Sequence, residues 1–99
     1  MIIYRIHQIK DIANTDYAFR GYDPKKFNFS DYECRGEGEF DAEARTAIEI
    51  CDIIFHVFNM RKPAGFKGHS LSVSDIIELK TDITTSFYYC DTVGWVRIK

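Results

Sequence analysis

The hydrophobic and polar positions at the start of the chain alternate. Ile2, Tyr4 and Ile6 are separated by single residues that are on balance more polar, which predicts a first strand over residues 2–7. A second strand is expected over residues 32–37. Two glycines at and just after its end indicate a bulge or a tight exit from the sheet.

The middle of the chain has a helical period instead. Apolar residues recur there at steps of three and four, which predicts one long amphipathic helix over residues 42–60. Asp41 is the predicted N-cap, and Glu43 lies in the first turn, where the helix dipole favours a negative charge. The predicted apolar stripe consists of Ala44, Ala47, Ile48, Cys51, Ile54, Phe55 and Phe58. We expect its members, Ile54 and Phe55 among them, to be buried.

Short β-prone runs return in the last third of the chain. A wet loop with Pro63 is expected over residues 61–69, and strands are expected over residues 76–79, 87–90 and 95–98. The stretch TDITTS is predicted to connect the first two as a hairpin, although it lacks the glycine that such a turn usually carries. The sequence therefore predicts a single α+β domain over residues 1–99, in which one long helix packs on a mainly antiparallel sheet with a C-terminal β-meander.

Composition and charge exclude several classes of protein. The chain has 99 residues, of which 45% are hydrophobic and 15% aromatic, and both fractions favour a packed core over disorder. The net charge of −2 is too small and too balanced for an electrostatic nucleic-acid binder. No apolar run approaches the length of a membrane span.

The cysteines indicate a reducing compartment. Cys34, Cys51 and Cys90 are odd in number and widely spaced, and they form no CxxC motif. That pattern argues against a disulfide framework and against a zinc site. We expect three small buried thiols, a cytoplasmic location, and neither a metal nor another cofactor.

The stretch GHSLSVSD at residues 68–75 is the candidate for chemistry, since it holds a histidine, three serines and an aspartate. A serine nucleophile and its base must face one another, whereas side chains on an extended run point to alternate sides. No GxSxG elbow is present either, so we assign no catalytic residue. We expect a structural motif in which serines and Asp75 bond backbone groups as the chain turns into the next strand. Its polar members and its glycine are Gly68, Ser70, Ser72, Ser74 and Asp75.

The loop around this motif is the candidate interaction surface. Phe66 lies between glycines in a basic loop, where an aromatic ring is exposed unless something covers it. Exposed aromatics commonly anchor protein interfaces. We therefore expect Phe66, Lys67 and His69 to carry recognition.

Three stretches together resemble the YodL-like domain family. They are DYAFRGYD at residues 16–23, PAGFKGHSLSVSDIIEL at 63–79 and FYYCDTVGW at 87–95. The resemblance implies a small α+β module of bacteria that also occurs in large polyvalent proteins of phages and conjugative elements. It further implies that residues 68–75, an apolar strand and an ending of Tyr88, Tyr89, Asp91, Gly94 and Trp95 form the core motif of the family. It implies no particular catalytic activity.

The preferred interpretation is a non-enzymatic protein-binding module of a bacterium, phage or mobile element, one that modulates a host or defence protein. The assignment to a bacterium, phage or mobile element rests only on the genomes in which the family occurs. The expected partner is an unidentified bacterial protein, with neither a membrane nor a nucleic acid involved. The alternative is a small enzyme or ligand-binding domain that uses the GHSLSVSD loop, which a concave pocket beside His69 would favour. A weaker alternative is a nucleic-acid adaptor that stacks bases on Tyr88 and Tyr89.

Overall fold

The computed structural model describes residues 1–41, 45–62 and 64–99. Its centre is a five-stranded sheet in the order β2-β1-β3-β4-β5, in which every neighbouring pair is antiparallel. The strands are β1 (Ile2–Ile9), β2 (Tyr32–Phe40), β3 (Ile76–Lys80), β4 (Thr85–Cys90) and β5 (Trp95–Arg97). The α+β class, the antiparallel sheet and the meander of β3, β4 and β5 are therefore confirmed.

The helix is shorter than predicted. It is α1 (Ala47–Met60), with 14 residues. Its N-cap is Thr46, whose hydroxyl accepts from the Glu49 N–H while the Glu49 carboxylate accepts from the Thr46 N–H. This reciprocal capping box satisfies two backbone donors that would otherwise lack partners. Asp41 as N-cap is therefore wrong, and the expectations for Glu43 and Ala44 lie outside the described residues.

One face of α1 packs on one face of the sheet. The helix buries Ile50, Cys51, Ile54 and Phe58 against residues of β1, β3 and β4, among them Ile6, Ile77 and Tyr88. The burial of Ile54 is confirmed. Phe55 is only partly buried, and Ile48 is 41% exposed. The real stripe is centred on Ile50 and Ile54, so these two members of the predicted stripe lie at its margin.

The opposite face of the sheet is partly covered by the segment between β1 and β2. This segment contains two short 3-10 helices (Ile12–Asn14 and Phe29–Asp31) and supplies a set of aromatic rings. They pack on the strand residues Ile9, Ile76 and Tyr89. The rings are those of Tyr17, Tyr22, Phe27 and Phe29, together with Tyr32 at the start of β2.

Strand β2 forms one edge of the sheet and extends beyond its predicted end. Its register with β1 shifts between Ile6 and His7, whose partners are Gly36 and Cys34, so Arg35 is the extra residue of a bulge. The bulge thus lies beside a glycine, as expected, but the strand continues to Phe40. The TDITTS connection is closed by Thr81 instead of a glycine, because its hydroxyl accepts from the N–H groups of Ile83 and Thr84.

Within the described ranges, α1 is too short to cross a lipid bilayer.

Candidate functional site

Residues 68–75, called the motif loop below, end in a tight turn before β3. The N–H of Asp75 donates to Ser72 O at 3.1 Å, and Ser74 has a φ of 83°. A positive φ at the third position is the conformation of a type II turn. Leu71 is buried, as an anchor to the core should be. The motif loop is therefore not one extended run, because the turn changes the direction of the chain at Ser72.

The buried carboxyl group of Asp75 accepts hydrogen bonds from the motif loop and from β1. It is 2% exposed, and its Oδ2 accepts from the Ser72 N–H at 2.9 Å and from Gln8 Nε2 at 3.0 Å. Burial raises the pKa of Asp75 to about 6, and the hydrogen bonds from Gln8 and Ser72 oppose that change. The carboxyl group therefore satisfies two donors inside the protein, while its burial disfavours the ionised form.

Gln8 of β1 joins the first and last residues of the motif loop. Its side chain is fully buried, and Nε2 also donates to His69 O at 3.0 Å. Its Oε1 lies against Gly68, so that a Cβ at that position would collide with it. Oε1 has no hydrogen-bond partner among the described residues. The loop thus begins with a glycine because the amide of Gln8 occupies the space that a side chain would need.

Two further side chains fix the motif loop from other elements. Asn59 of α1 binds both backbone groups of Leu71, accepting from its N–H at 2.7 Å and donating to its carbonyl at 3.1 Å. The hydroxyl of Tyr32 donates to Ser74 O at 2.6 Å. Burial raises the pKa of Tyr32, so this donor stays protonated. Neither contact could be inferred from the sequence, where Asn59 falls on the polar side of the helix.

Phe66 is not the exposed aromatic that we expected. Its ring lies 4.9 Å from that of Phe58 in an edge-to-face arrangement and belongs to the margin of the core. It also covers Gly36 of β2, where a Cβ would stand 2.6 Å from the ring. The premise of exposure is therefore wrong, since a glycine in β2 makes room for the ring. Lys67 is exposed, while its N–H donates to Arg35 O at 3.1 Å.

The exposed aromatic beside the motif loop is Phe19. It is 52% exposed, has a φ of 63°, and its N–H donates to Ser74 Oγ at 3.0 Å. Phe19 and Ser74 are the two non-glycine residues with positive φ in the described part of the chain, and they are bonded to each other. The Phe19 ring lies 6.1 Å from the partly buried ring of His69. Phe19 was not among the predicted interaction residues, although it belongs to the DYAFRGYD stretch.

The three stretches that resemble the family meet at one end of the sheet, where β1 and β4 end and β3 and β5 begin. We call this the motif end. The Tyr89 hydroxyl donates to Arg20 O at 2.8 Å, and the Tyr22 N–H donates to Asp91 Oδ1 at 3.1 Å. The Cys90 N–H donates to Asp75 O at 2.8 Å. Stretches distant in the sequence therefore form one hydrogen-bonded unit.

The cysteines differ in exposure. Cys51 and Cys90 are buried, and Cys34 on β2 is exposed, which corrects the expectation of three buried thiols. Cys34 lies on β2, an edge strand of the sheet. Burial raises the pKa of Cys51 to about 12 and that of Cys90 to about 11. Both buried thiols are therefore protonated near neutral pH and are poor nucleophiles.

A separate set of charged groups lies on the face of the sheet that is turned away from α1. Glu78 is buried, with His7 Nε2 at 2.8 Å from one oxygen and Arg5 Nη1 at 2.9 Å from the other. Arg5 Nε in turn donates to Glu37 at 2.6 Å. Each buried carboxylate oxygen thus has a donor, as burial of a charge requires. This network joins β1, β2 and β3 and stabilises the sheet.

Comparisons with known proteins agree with the resemblance seen in the sequence. No curated protein and no solved structure shows significant similarity to the chain. A family model described as the YodL-like domain matches residues 3–99, which is nearly the whole chain. The three stretches that form the motif end lie within that match. The chain therefore belongs to the YodL-like domain family.

Proposed function

We propose that this domain is a non-enzymatic protein-binding module whose contact surface lies at the motif end and is centred on Phe19 and His69. The observation that carries the proposal is the exposed ring of Phe19, held in a left-handed backbone by Ser74. That conformation costs about 1–3 kcal/mol for a residue with a side chain, and such strain is concentrated at functional sites. A residue that had only to fill the turn would be a glycine.

The surroundings of Phe19 fit an interface. Its ring contacts that of His69 edge to face, and Lys67, directly before the motif loop, is exposed. Aromatic rings presented by a rigid frame are typical anchors of protein interfaces. The frame here is rigid because Gln8 and Asn59 bind the backbone of the loop. The roles of His69 and Lys67 in recognition remain predictions. In the proposed contact surface, Phe19 replaces Phe66 as the aromatic anchor.

The enzyme alternative receives less support from this geometry. Nδ1 of His69 lies 2.7 Å from the carbonyl oxygen of Ser70, its own neighbour. Among the described residues, no serine hydroxyl of the motif loop is hydrogen-bonded to His69, and the amide of Gln8 binds Asp75. A nucleophile, a base and an orienting acid would have to contact one another in that order. We further propose the setting of a bacterium, phage or mobile element, on family membership alone.

The test compares Phe19→Gly with His69→Ala and a control substitution, Ile83→Ala, in pull-downs. Phe19→Gly removes the ring and also relieves the left-handed backbone, so the melting temperature should stay equal or rise. Partner capture from a lysate of the native host, read by mass spectrometry, should nevertheless be lost. His69→Ala should weaken capture, whereas Ile83→Ala, which removes an exposed apolar side chain at the opposite end of the sheet, should leave it intact.

Binding should thus be lost without any loss of stability, which a purely structural role for Phe19 does not allow. Unchanged capture by a folded Phe19→Gly variant would show that the contact surface lies elsewhere. Labelling of Ser70 or Ser72 by an active-site serine probe, in the folded protein only, would replace the proposal with the enzyme alternative.

A further inference from the structure

A cavity of about 230 Å³ opens at the motif end, between α1 and the connection from β4 to β5. Its walls are the rings of Phe55 and Trp95, which meet edge to face with centroids 6.0 Å apart. Val73 of the motif loop and the protonated thiol of Cys90 contribute to the lining. The cavity is therefore built from two of the family stretches and the helix.

The charged groups that line this cavity are Asp52 and Asp91. Asp52 Oδ1 accepts from the indole Nε1 of Trp95 at 2.9 Å, which fixes the carboxylate against the aromatic wall. Asp91 Oδ1 accepts from the N–H groups of Tyr22 and Thr92 at 3.1 and 2.8 Å, which fixes the second carboxylate at the turn. Within the described part of the chain, neither aspartate forms an ion pair.

Two held carboxylates beside two aromatic rings make a site for an organic cation. Carboxylates attract the positive charge, and the faces of indole and phenyl rings add the attraction of their quadrupoles. A guanidinium group suits both features, since it is planar, stacks on aromatic rings and donates several hydrogen bonds. A metal ion suits the cavity poorly, because among the described residues no group of three or more His, Cys, Asp or Glu side chains is placed to hold one.

We propose that this cavity binds an arginine side chain of the partner protein. The assignment rests on the proposed function only in naming a protein as the source of the arginine. The cavity and the Phe19 patch are linked, because Ser74 N–H donates to Cys90 O at 2.9 Å while Ser74 Oγ accepts from Phe19. Both surfaces therefore adjoin Ser74, and we assign them to one partner segment. That segment would cover the ring of Phe19 and insert an arginine between Asp52 and Asp91.

The site can be tested without any knowledge of the partner, because Trp95 is the single tryptophan of the chain. N-acetyl-arginine amide is titrated into the intact protein, and the intrinsic fluorescence is followed at low ionic strength. A saturable change is expected. N-acetyl-citrulline amide, which has nearly the same shape and no charge, should bind at least about tenfold more weakly, since it lacks the charge-assisted bonds.

Asp52→Asn keeps an acceptor for the Trp95 indole and removes one charge, so it should weaken arginine binding about tenfold. The matched control is Asp82→Asn, which removes an exposed carboxylate in the hairpin between β3 and β4 and should leave binding unchanged. Melting curves of both variants verify that they are folded. Equal binding of the citrulline and arginine probes, no saturable signal, or unchanged binding by folded Asp52→Asn would each overturn the proposal. Binding of the arginine probe by a protein whose Phe19→Gly variant still captures its partners would reject the Phe19 surface and keep this site.

Discussion

Replacement of Asp75 by asparagine tests whether the buried carboxyl group links folding to pH. The substitution removes the ionisable group and keeps an oxygen that can accept from the Ser72 N–H. Asparagine has no titration in this range, so the pH dependence that belongs to Asp75 should disappear in the variant. Any constant effect of the exchange on stability is the same at every pH.

The sign follows from the direction in which burial changes the pKa. Folding raises the pKa of Asp75 from its ordinary value of 3.8 to about 6. Well below pH 3.8 the group is protonated in both states, and the contribution of Asp75 to stability is fully present. As the pH rises from about 4 to about 6, the unfolded chain loses its proton first, and stability falls. The interval spans about 2 pH units at about 1.4 kcal/mol each, which gives a loss of about 3 kcal/mol.

Urea unfolding of the wild type and of Asp75→Asn between pH 4 and pH 7.5 measures this difference. The free energy of unfolding of the wild type, minus that of the variant, should fall by about 2–3 kcal/mol over this range and level off near pH 7. Asp82→Asn should show the pH dependence of the wild type. A difference that stays constant within 0.5 kcal/mol, roughly the error of extrapolation, would show that Asp75 is not buried as a carboxyl group in the folded protein.

Four further substitutions test the packing of the helix and the loop. Asn59→Ala should destabilise the protein by about 1–3 kcal/mol in urea unfolding, because both backbone groups of Leu71 lose their partner. Thr46→Ala should cost about 0.5–2 kcal/mol by loss of the helix cap, with loss of helical circular dichroism on heating at a lower temperature. Phe58→Ala should cost about 3–5 kcal/mol, as a buried phenylalanine does, whereas Phe55→Ala should cost less because that ring is only partly buried. Equal costs for the two phenylalanines would contradict the observed orientation of the helix.

The strands were predictable because their signal is local. Alternation in β1 and the aromatic and branched residues of β3 and β4 indicate extended structure without knowledge of the fold. The start of the helix was not predictable from period alone, since Ala44 continues the apolar spacing upstream of the cap. The pair Thr46 and Glu49 was the available signal, because this spacing is that of a capping box.

The arrangement of the motif end depends on contacts between distant residues. That Asp75 binds Ser72 follows from local chemistry, and we expected an acceptor of this kind. That Gln8 reaches Asp75 depends on the antiparallel pairing of β1 with β3, which no short window contains. Phe66 was misjudged for the same reason, because the glycine that receives it is thirty residues upstream at Gly36. The exposure of Phe19 could not be predicted, because it depends on the positive φ values of Phe19 and Ser74. Sequence patterns indicate a positive φ mainly for glycine and asparagine.

The position of β1 inside the sheet, between β2 and β3, has a consequence for synthesis of the chain. β1 pairs on one side with β2, and on the other side with β3, where Arg5 and Glu78 meet across 73 residues. A growing chain can form the β1–β2 ribbon early, but the second edge of β1 stays open until β3 has left the ribosome. An open strand edge rich in isoleucine is a template for pairing with other chains. Self-association should therefore threaten the nascent protein most in the interval between completion of β2 and release of β3.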